Sequence, residues 1–186
     1  VYKRQSLSIN KIEFDSRLIS DGDMYIAITG VNVDGHSFIS QAIQNGANCI
    51  VCEKTPDIKT DGIVYVNVKS SRKALAIISS NYFDNPSSKL NLIGVTGTNG
   101  KTTIATLLFD LYTELEIKSG LISTVKISYD NKNFQANQTT PDSLSINRFL
   151  SEMVNSNVRY CFMEVSSHGI DQNRTDGLVF KGGIFT

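Results

Sequence analysis

Apolar and polar positions along the chain alternate between two periods, and the switches between them mark its elements. Ile12-Glu13-Phe14 leads into a short polar loop, Asp15-Ser16-Arg17, and Asp23–Ile28 then predicts a strand ended by Gly30. Residues 36–46 place Phe38, Ile39, Ala42 and Ile43 on one helical face, with Gly46 as the stop. The run Ala47–Cys52 predicts a buried strand, Pro56 a turn, Ile63–Val68 an alternating strand, and residues 71–83 a helix through Leu75, Ile78 and Tyr82. Asp84-Asn85-Pro86-Ser87-Ser88 concentrates turn formers and predicts a domain boundary. The order β-α-β-β-α predicts a small α/β domain over residues 1–88.

Beyond the boundary, Leu92, Ile93 and Val95 predict a short buried strand. Ile104, Leu107, Leu108, Leu111 and Leu115 recur at helical spacing and are expected to bury one stripe against a sheet. Gly120–Val125 predicts the strand that completes a βαβ unit, and Lys126–Gln138 a hairpin turning at Asp130-Asn131. Thr139-Thr140-Pro141-Asp142 opens a helix, with Thr140 as N-cap, Pro141 in the first position and Ile146, Phe149, Leu150 and Met153 on the apolar face. Tyr160–Met163 is apolar without alternation, as in a parallel strand covered on both faces, and a further apolar run ends at Phe185-Thr186. The expected fold class is α/β: a small N-terminal α/β domain, then a truncated P-loop-type central domain over residues 89–186 with a mostly parallel sheet. The first few residues, which lack an initiating Met, are a candidate non-native scar and are set aside from the fold reasoning.

Composition narrows the function classes. The 186 residues are 40% hydrophobic and 19% charged, enough for a packed core. Eighteen basic and eighteen acidic residues balance, which gives no electrostatic argument for nucleic acid or a membrane surface as partner. No apolar run approaches membrane-spanning length, and no stretch of the sequence reads as a secretory h-region. Cys49 and Cys52 have C-x-x-C spacing, yet no second pair exists and their stretch reads as a strand, so packing is favoured over redox or metal chemistry. Reduced cysteines fit a cytoplasmic location.

The chemistry concentrates in Leu92–Thr103, LIGVTGTNGKTT. A strand, a Gly-rich turn and a helix start follow one another there. Gly97 and Gly100 allow a tight bend and close approach of a ligand. Lys101 supplies a cation, Thr102 a hydroxyl suited to Mg²⁺, and the exposed N–H groups of the helix start complete a phosphate cradle. The general pattern G-x-x-x-x-G-K-[ST] fails at one position, where Val95 replaces the first Gly. A merely structural glycine turn is the alternative.

Further along, Thr139 and Thr140 either cap a helix or offer hydroxyls to an anion at its start. Glu164 falls at the C-terminal end of its strand, the edge where open α/β sheets bind ligands, and suits a metal-holding carboxylate. Ser166, His168, Gln172 and Arg174 follow in a polar loop that reads as substrate contacts together and as surface residues singly. Asp15-Ser16-Arg17 is either a loop for a polar or anionic ligand or an Asx-type turn with a solvated Arg. Asp34-Gly35-His36 reads as a helix cap.

The ordered set TGTNGKTT, TTPDS and MEVSSHGIDQNR resembles the Mur ligases, in the branch that acts on UDP-N-acetylmuramoyl-dipeptide, and FDSRLISDGDMYIAITGVNVDGHSFISQAI is similar to that family's UDP-binding domain. The resemblance implies an ATP-dependent ligase that adds a third amino acid, diaminopimelate or lysine, to UDP-N-acetylmuramoyl-L-Ala-D-Glu through an acyl phosphate. It assigns Gly97, Thr98, Asn99, Gly100, Lys101, Thr102 and Thr103 to ATP, Lys101 and Glu164 to catalysis, and Thr102 and Glu164 to Mg²⁺. Phe14, Ser16, Val31, Asn32 and Val33 fall where the family contacts uridine. Gln138, Thr139, Thr140, Ser166, Gln172 and Arg174 fall where it contacts the muramyl-peptide. The small-molecule substrates are then the expected partners, and a full-length member is expected to be monomeric. In the family an Asp-His element, a carbamylated lysine and an amino-acid-selecting domain follow, so this chain is expected to be a fragment unable to complete turnover alone. The rival classes are a related ligase of the D-Ala-D-Ala-adding or folylpolyglutamate type and a nucleotide-binding module without ligation.

Overall fold

A computed structural model of the chain describes residues 7–30 and 33–186, in two compact units that divide between Leu75 and Ala76. In the first unit β1 (Ile12–Glu13), β2 (Met24–Ile26), β3 (Cys49–Cys52) and β4 (Val64–Asn67) form one parallel sheet in sequence order. Parallel neighbours need crossovers. The one between β2 and β3 is a 3-10 turn, Gly35–Phe38, running into α1 (Ile39–Gln44). Gly46, at φ +109°, turns the chain after α1; a Cβ there would lie 2.6 Å from the Asp21 Cα, so only glycine fits. Tyr25, Ala27, Ile39, Ala42, Ile50 and Cys52 make up the core of this unit.

α2 (Ser71–Tyr82) runs across the division. Its buried positions include Leu75, Ala76, Ser79 and Ser80, while Tyr82, expected on the apolar face, is exposed. After the left-handed pair Asp84 and Asn85, the second unit builds a six-stranded sheet. Its strands are β5 (Asn91–Thr96), β6 (Ser119–Ile122), β7 (Lys126–Tyr129), β8 (Lys132–Gln135), β9 (Tyr160–Glu164) and β10 (Gly182–Phe185), in the spatial order β10-β5-β9-β6-β7-β8. The first four in that order are parallel and the last two antiparallel. β5 and β6 are joined through α3 (Lys101–Glu114) but are not neighbours, because β9 lies between them. The β7–β8 turn places Asp130 and Asn131 at φ +48° and +58°, the paired left-handed geometry that suits a two-residue hairpin.

Two expectations on the helices change. The buried face of α3 is Ala105, with Ile104, Leu108, Phe109 and Tyr112 packed around Val95, Leu121 and Phe162. Leu107, Leu111 and Leu115 are 58%, 52% and 59% exposed. Large aromatic side chains reach the sheet from the i+1 positions, which rotates the helix away from the leucine row. In α4 (Ser143–Asn155) the N-cap is Asp142, not Thr140. The Asp142 carboxylate accepts from the Ser145 N–H at 2.8 Å and from its hydroxyl at 2.8 Å, and carboxylates rank above threonine hydroxyls as caps. The expected face of α4 does bury: Ile146, Leu150 and Met153 are fully enclosed, each stabilising by about 1.5–3 kcal/mol.

Cys49 and Cys52 lie on the same strand, at positions facing opposite sides of it, so they cannot pair with each other. Burial pushes the Cys49 thiol up to about 11 and raises those of Cys52 and Cys161. Among the described residues no helix is long and apolar enough to cross a membrane.

Two measurements test these assignments. Asp142→Ala is expected to lower unfolding stability by about 1 kcal/mol in denaturant titrations, the usual loss for a cap. The three thiols are expected to resist a soluble thiol reagent at pH 7.5 in the native protein and to react together once it is unfolded, because thiolate and access are both missing in the fold.

Candidate functional site

Strand register sets this site. β5 and β9 pair in parallel with Val95 opposite Glu164, so the last buried residue before the Gly-rich turn lies beside the acid. Val95 is fully buried within β5, which continues to Thr96. The turn therefore begins at Gly97, two residues later than the general pattern places it, and Val95 belongs to the core. Gly97 has φ +137°, and a Cβ on it would meet the Thr186 carbonyl oxygen at 1.9 Å. Gly100, at φ +84°, is the N-cap of α3. The first intrahelical bond runs from the Ile104 N–H to the Gly100 carbonyl at 2.9 Å. The N–H groups of Lys101, Thr102 and Thr103 precede that bond, at the positive end of a 14-residue helix. The Lys101 ammonium folds over the turn and donates to the carbonyls of Gly97 at 2.7 Å and Thr98 at 3.2 Å. Thr186 closes the far side, its hydroxyl donating to the Asn99 carbonyl.

Glu164 is 0% exposed, and its carboxylate is held by threonines. Thr102 Oγ1 donates to Oε2 at 3.0 Å and the Thr124 N–H to Oε1 at 2.8 Å; Thr124 Oγ1 lies 3.1 Å from Oε2. A buried carboxylate without such bonds would be strongly destabilising. The hydroxyl and carboxylate are hard oxygen donors of the kind Mg²⁺ accepts. Among the described residues there is no group of three or more His, Cys, Asp and Glu that could hold a metal ion.

The polar segments expected beside the loop converge on the end of β9. Thr140 is buried; its hydroxyl donates to the Glu164 carbonyl at 3.0 Å and accepts from the Ser166 N–H at 2.9 Å. Ser166 caps α5 (Ser167–Asp171), its hydroxyl accepting from the Gly169 N–H at 3.1 Å. The Arg174 guanidinium donates to Gln138 Oε1, to the Thr140 carbonyl and to Gln172 Oε1, tying the two segments together. His168 and Gln172 contact each other through Nε2 atoms 2.7 Å apart. Thr139 reaches Thr124, hydroxyl to hydroxyl, at 3.1 Å. Thr98, Asn99 and Thr103 are exposed around the turn.

In the first unit, Asp15-Ser16-Arg17 forms an Asx turn: Asp15 Oδ1 accepts from the Arg17 N–H at 3.0 Å, and the same carboxylate pairs with the Arg17 guanidinium at 2.6 Å. That bond holds the Asp15 carboxyl below its ordinary range. The Ser16 hydroxyl donates to Gln41 Oε1 at 3.1 Å, and the Ser16 carbonyl accepts from Asn45 at 2.8 Å. Phe14 is half-buried next to this turn and Val33 is exposed; Val31 and Asn32 lie outside the described residues. His36 ties the segment after β2 to the end of β3. Its Nδ1 contacts Asp34 at 2.7 Å, and its Nε2 accepts from the Glu53 N–H at 2.9 Å, which leaves it a structural strap.

Sequence reasoning passed over Thr124. It follows β6 at the ligand-binding edge of the sheet, the position rule that singled out Glu164, but the expected strand ran to Val125 and absorbed it. Gln41 and Asn45, which hold Ser16, lie in residues 36–46, where only the apolar face and the glycine stop carry a signal.

Strand, Gly-rich turn, lysine, hydroxyl and opposing buried acid form an α/β arrangement whose donors suit a phosphate. Comparison with known proteins sharpens the class. The Mur ligase family catalytic domain matches residues 8–83 and the Mur ligase middle domain residues 95–186. The chain belongs to the Mur ligase family. It is 50% identical over 184 residues to the UDP-N-acetylmuramoyl-L-alanyl-D-glutamate--2,6-diaminopimelate ligase of Cytophaga hutchinsonii, covering 98% of this chain and 38% of that protein. The ligase of the same name from Bacteroides thetaiotaomicron is 46% identical over 180 residues, 97% of this chain and 37% of its own. The chain thus spans under two fifths of the length of these relatives. A solved structure of a UDP-N-acetylmuramoyl-L-alanyl-D-glutamate--2,6-diaminopimelate ligase shares the fold, with a TM-score of 0.81 at 24% identity over 95% of this chain and 36% of that one.

Proposed function

We propose that this chain serves an ATP-dependent ligase that joins 2,6-diaminopimelate to UDP-N-acetylmuramoyl-L-Ala-D-Glu in peptidoglycan synthesis in the cytoplasm. The names of relatives at 50% and 46% identity support the substrate pair. The observation that carries the chemistry is Thr102 Oγ1 within 3.0 Å of the buried Glu164 carboxylate, at the mouth of the Gly97–Thr103 turn.

In this reading the N–H groups of the α3 start and the Lys101 ammonium bind the phosphates of ATP. Lys101 exchanges its bonds to the Gly97 and Thr98 carbonyls for phosphate oxygens, which are charged and bind it more strongly. Thr102 and Glu164 hold Mg²⁺, which neutralises phosphate charge when bound. Gln138, Thr139, Thr140, Ser166, Gln172 and Arg174 orient the muramyl-peptide. Its free D-Glu carboxylate takes the γ-phosphoryl group, releasing ADP and leaving an acyl phosphate. The amine of the incoming amino acid then displaces phosphate to form the amide. Residues 89–186 act on ATP, and Phe14, Ser16 and the Val31–Val33 segment within residues 1–88 contact the uridine part.

Lys101→Ala is expected to weaken ATP binding at least tenfold in a direct titration, and an unchanged dissociation constant would contradict the cradle. Ser16→Ala with Arg17→Ala is expected to abolish binding of UDP-N-acetylmuramoyl-dipeptide while ATP binding persists. Retained sugar-nucleotide affinity in that double variant removes the first unit from the proposal, and nucleotide binding with no sugar-nucleotide affinity in the unsubstituted protein favours a switch module.

A further inference from the structure

Thr124 makes more contacts to the Glu164 carboxylate than any other residue around it. Its N–H donates to Oε1 at 2.8 Å, and its Oγ1 lies 3.1 Å from Oε2 and 3.1 Å from Thr139 Oγ1. A threonine hydroxyl carries one proton and cannot donate to both neighbours. The charged carboxylate takes that proton in preference to the neutral Thr139 hydroxyl, so the Thr124 hydroxyl donates to Glu164 Oε2. Thr102 approaches Oε2 from α3.

The geometry points to Thr124 as the positioning residue of the metal-holding acid, an inference that rests on the proposed binding of Mg²⁺ by Thr102 and Glu164. Two donors from one residue fix both carboxylate oxygens. The N–H engages Oε1 and leaves Oε2 facing Thr102, and the hydroxyl restrains rotation about the last side-chain bond. Once the Thr102 hydroxyl serves a cation instead of Glu164, the two Thr124 bonds are what keep the buried carboxylate aimed. The backbone bond survives any substitution except proline, so the hydroxyl is the separable part.

Thr124→Val keeps the shape and the N–H and removes only the hydroxyl. The test titrates Mg²⁺ against binding of a fluorescent ATP analogue to the purified protein, alongside metal-free binding of the same analogue and thermal melting. Thr124→Val is expected to raise the Mg²⁺ concentration at half-effect about tenfold, the usual cost of losing a group that orients a metal ligand. Metal-free binding is expected to stay as in the unsubstituted protein while the melting temperature falls by a few degrees with the lost bond to the carboxylate, and Thr124→Ser is expected to restore the metal response. An unchanged Mg²⁺ midpoint in a folded Thr124→Val protein overturns the inference, as does a serine variant no better than valine. Should the valine protein not fold, Thr124→Ala against Thr124→Ser separates hydroxyl from methyl in the same assay. Glu164→Gln distinguishes the two levels. A metal response lost there but intact in Thr124→Val overturns the role of Thr124 alone. A response intact in Glu164→Gln overturns the metal assignment and this inference with it.

Discussion

A carboxylate buried in the middle of a parallel sheet is the constraint on which the second unit depends. Glu164 is sealed from water beside Val95, and every group that compensates its charge comes from a different part of the chain. Thr102 arrives on α3 and Thr124 on the turn after β6, while Thr140 fixes the backbone of the acid from the segment before α4. Displacing any one of these leaves an unsatisfied buried polar group, which costs on the order of 1–3 kcal/mol and more when the group is charged. The glycines obey the same crowding. Thr186 presses so closely on Gly97 that no side chain fits between them.

Much of this was legible in the chain. Cys49–Cys52, the Asp130-Asn131 hairpin and the face of α4 follow from local signals, namely an unbroken apolar run, two residues tolerant of positive φ, and an i, i+4, i+7 stripe. The Gly-rich turn announced itself because strand, glycines, lysine and hydroxyl are consecutive. Long-range placement decided the remainder. Nothing in residues 104–115 says that Phe109 and Tyr112 rather than Leu107, Leu111 and Leu115 meet the sheet, since both rows are apolar at helical spacing. Thr140 and Asp142 are both acceptable caps in isolation; the partners Thr140 finds at Glu164 and Ser166 settle the matter.

The candidate site divides in the same way. Residues inside a contiguous motif could be named from sequence, and so could Glu164, because it ends an apolar run at the ligand-binding edge. Thr124 is reached only through the strand order. With β9 between β5 and β6, the turn after β6 comes to the flank of Glu164 opposite Thr102. The Asx turn at Asp15 shows the converse case. Both readings of Asp15-Ser16-Arg17 were open; the structure shows the Asx turn, the Asp15–Arg17 ion pair and the Ser16–Gln41 bond, while the ligand reading rests on the proposed uridine contact.

The insertion of β9 between two strands that precede it also sets a schedule for assembly. On a growing chain β5 and α3 are complete long before Tyr160–Glu164 emerges, and β6 follows them with one edge unpaired. Pairings between strands so distant in sequence form slowly, and open edges invite wrong partners until they close. The strand that finally fills the gap is the one that carries the acid. Joining of the two parts of the sheet and delivery of Glu164 to the Gly-rich turn therefore come with the same strand.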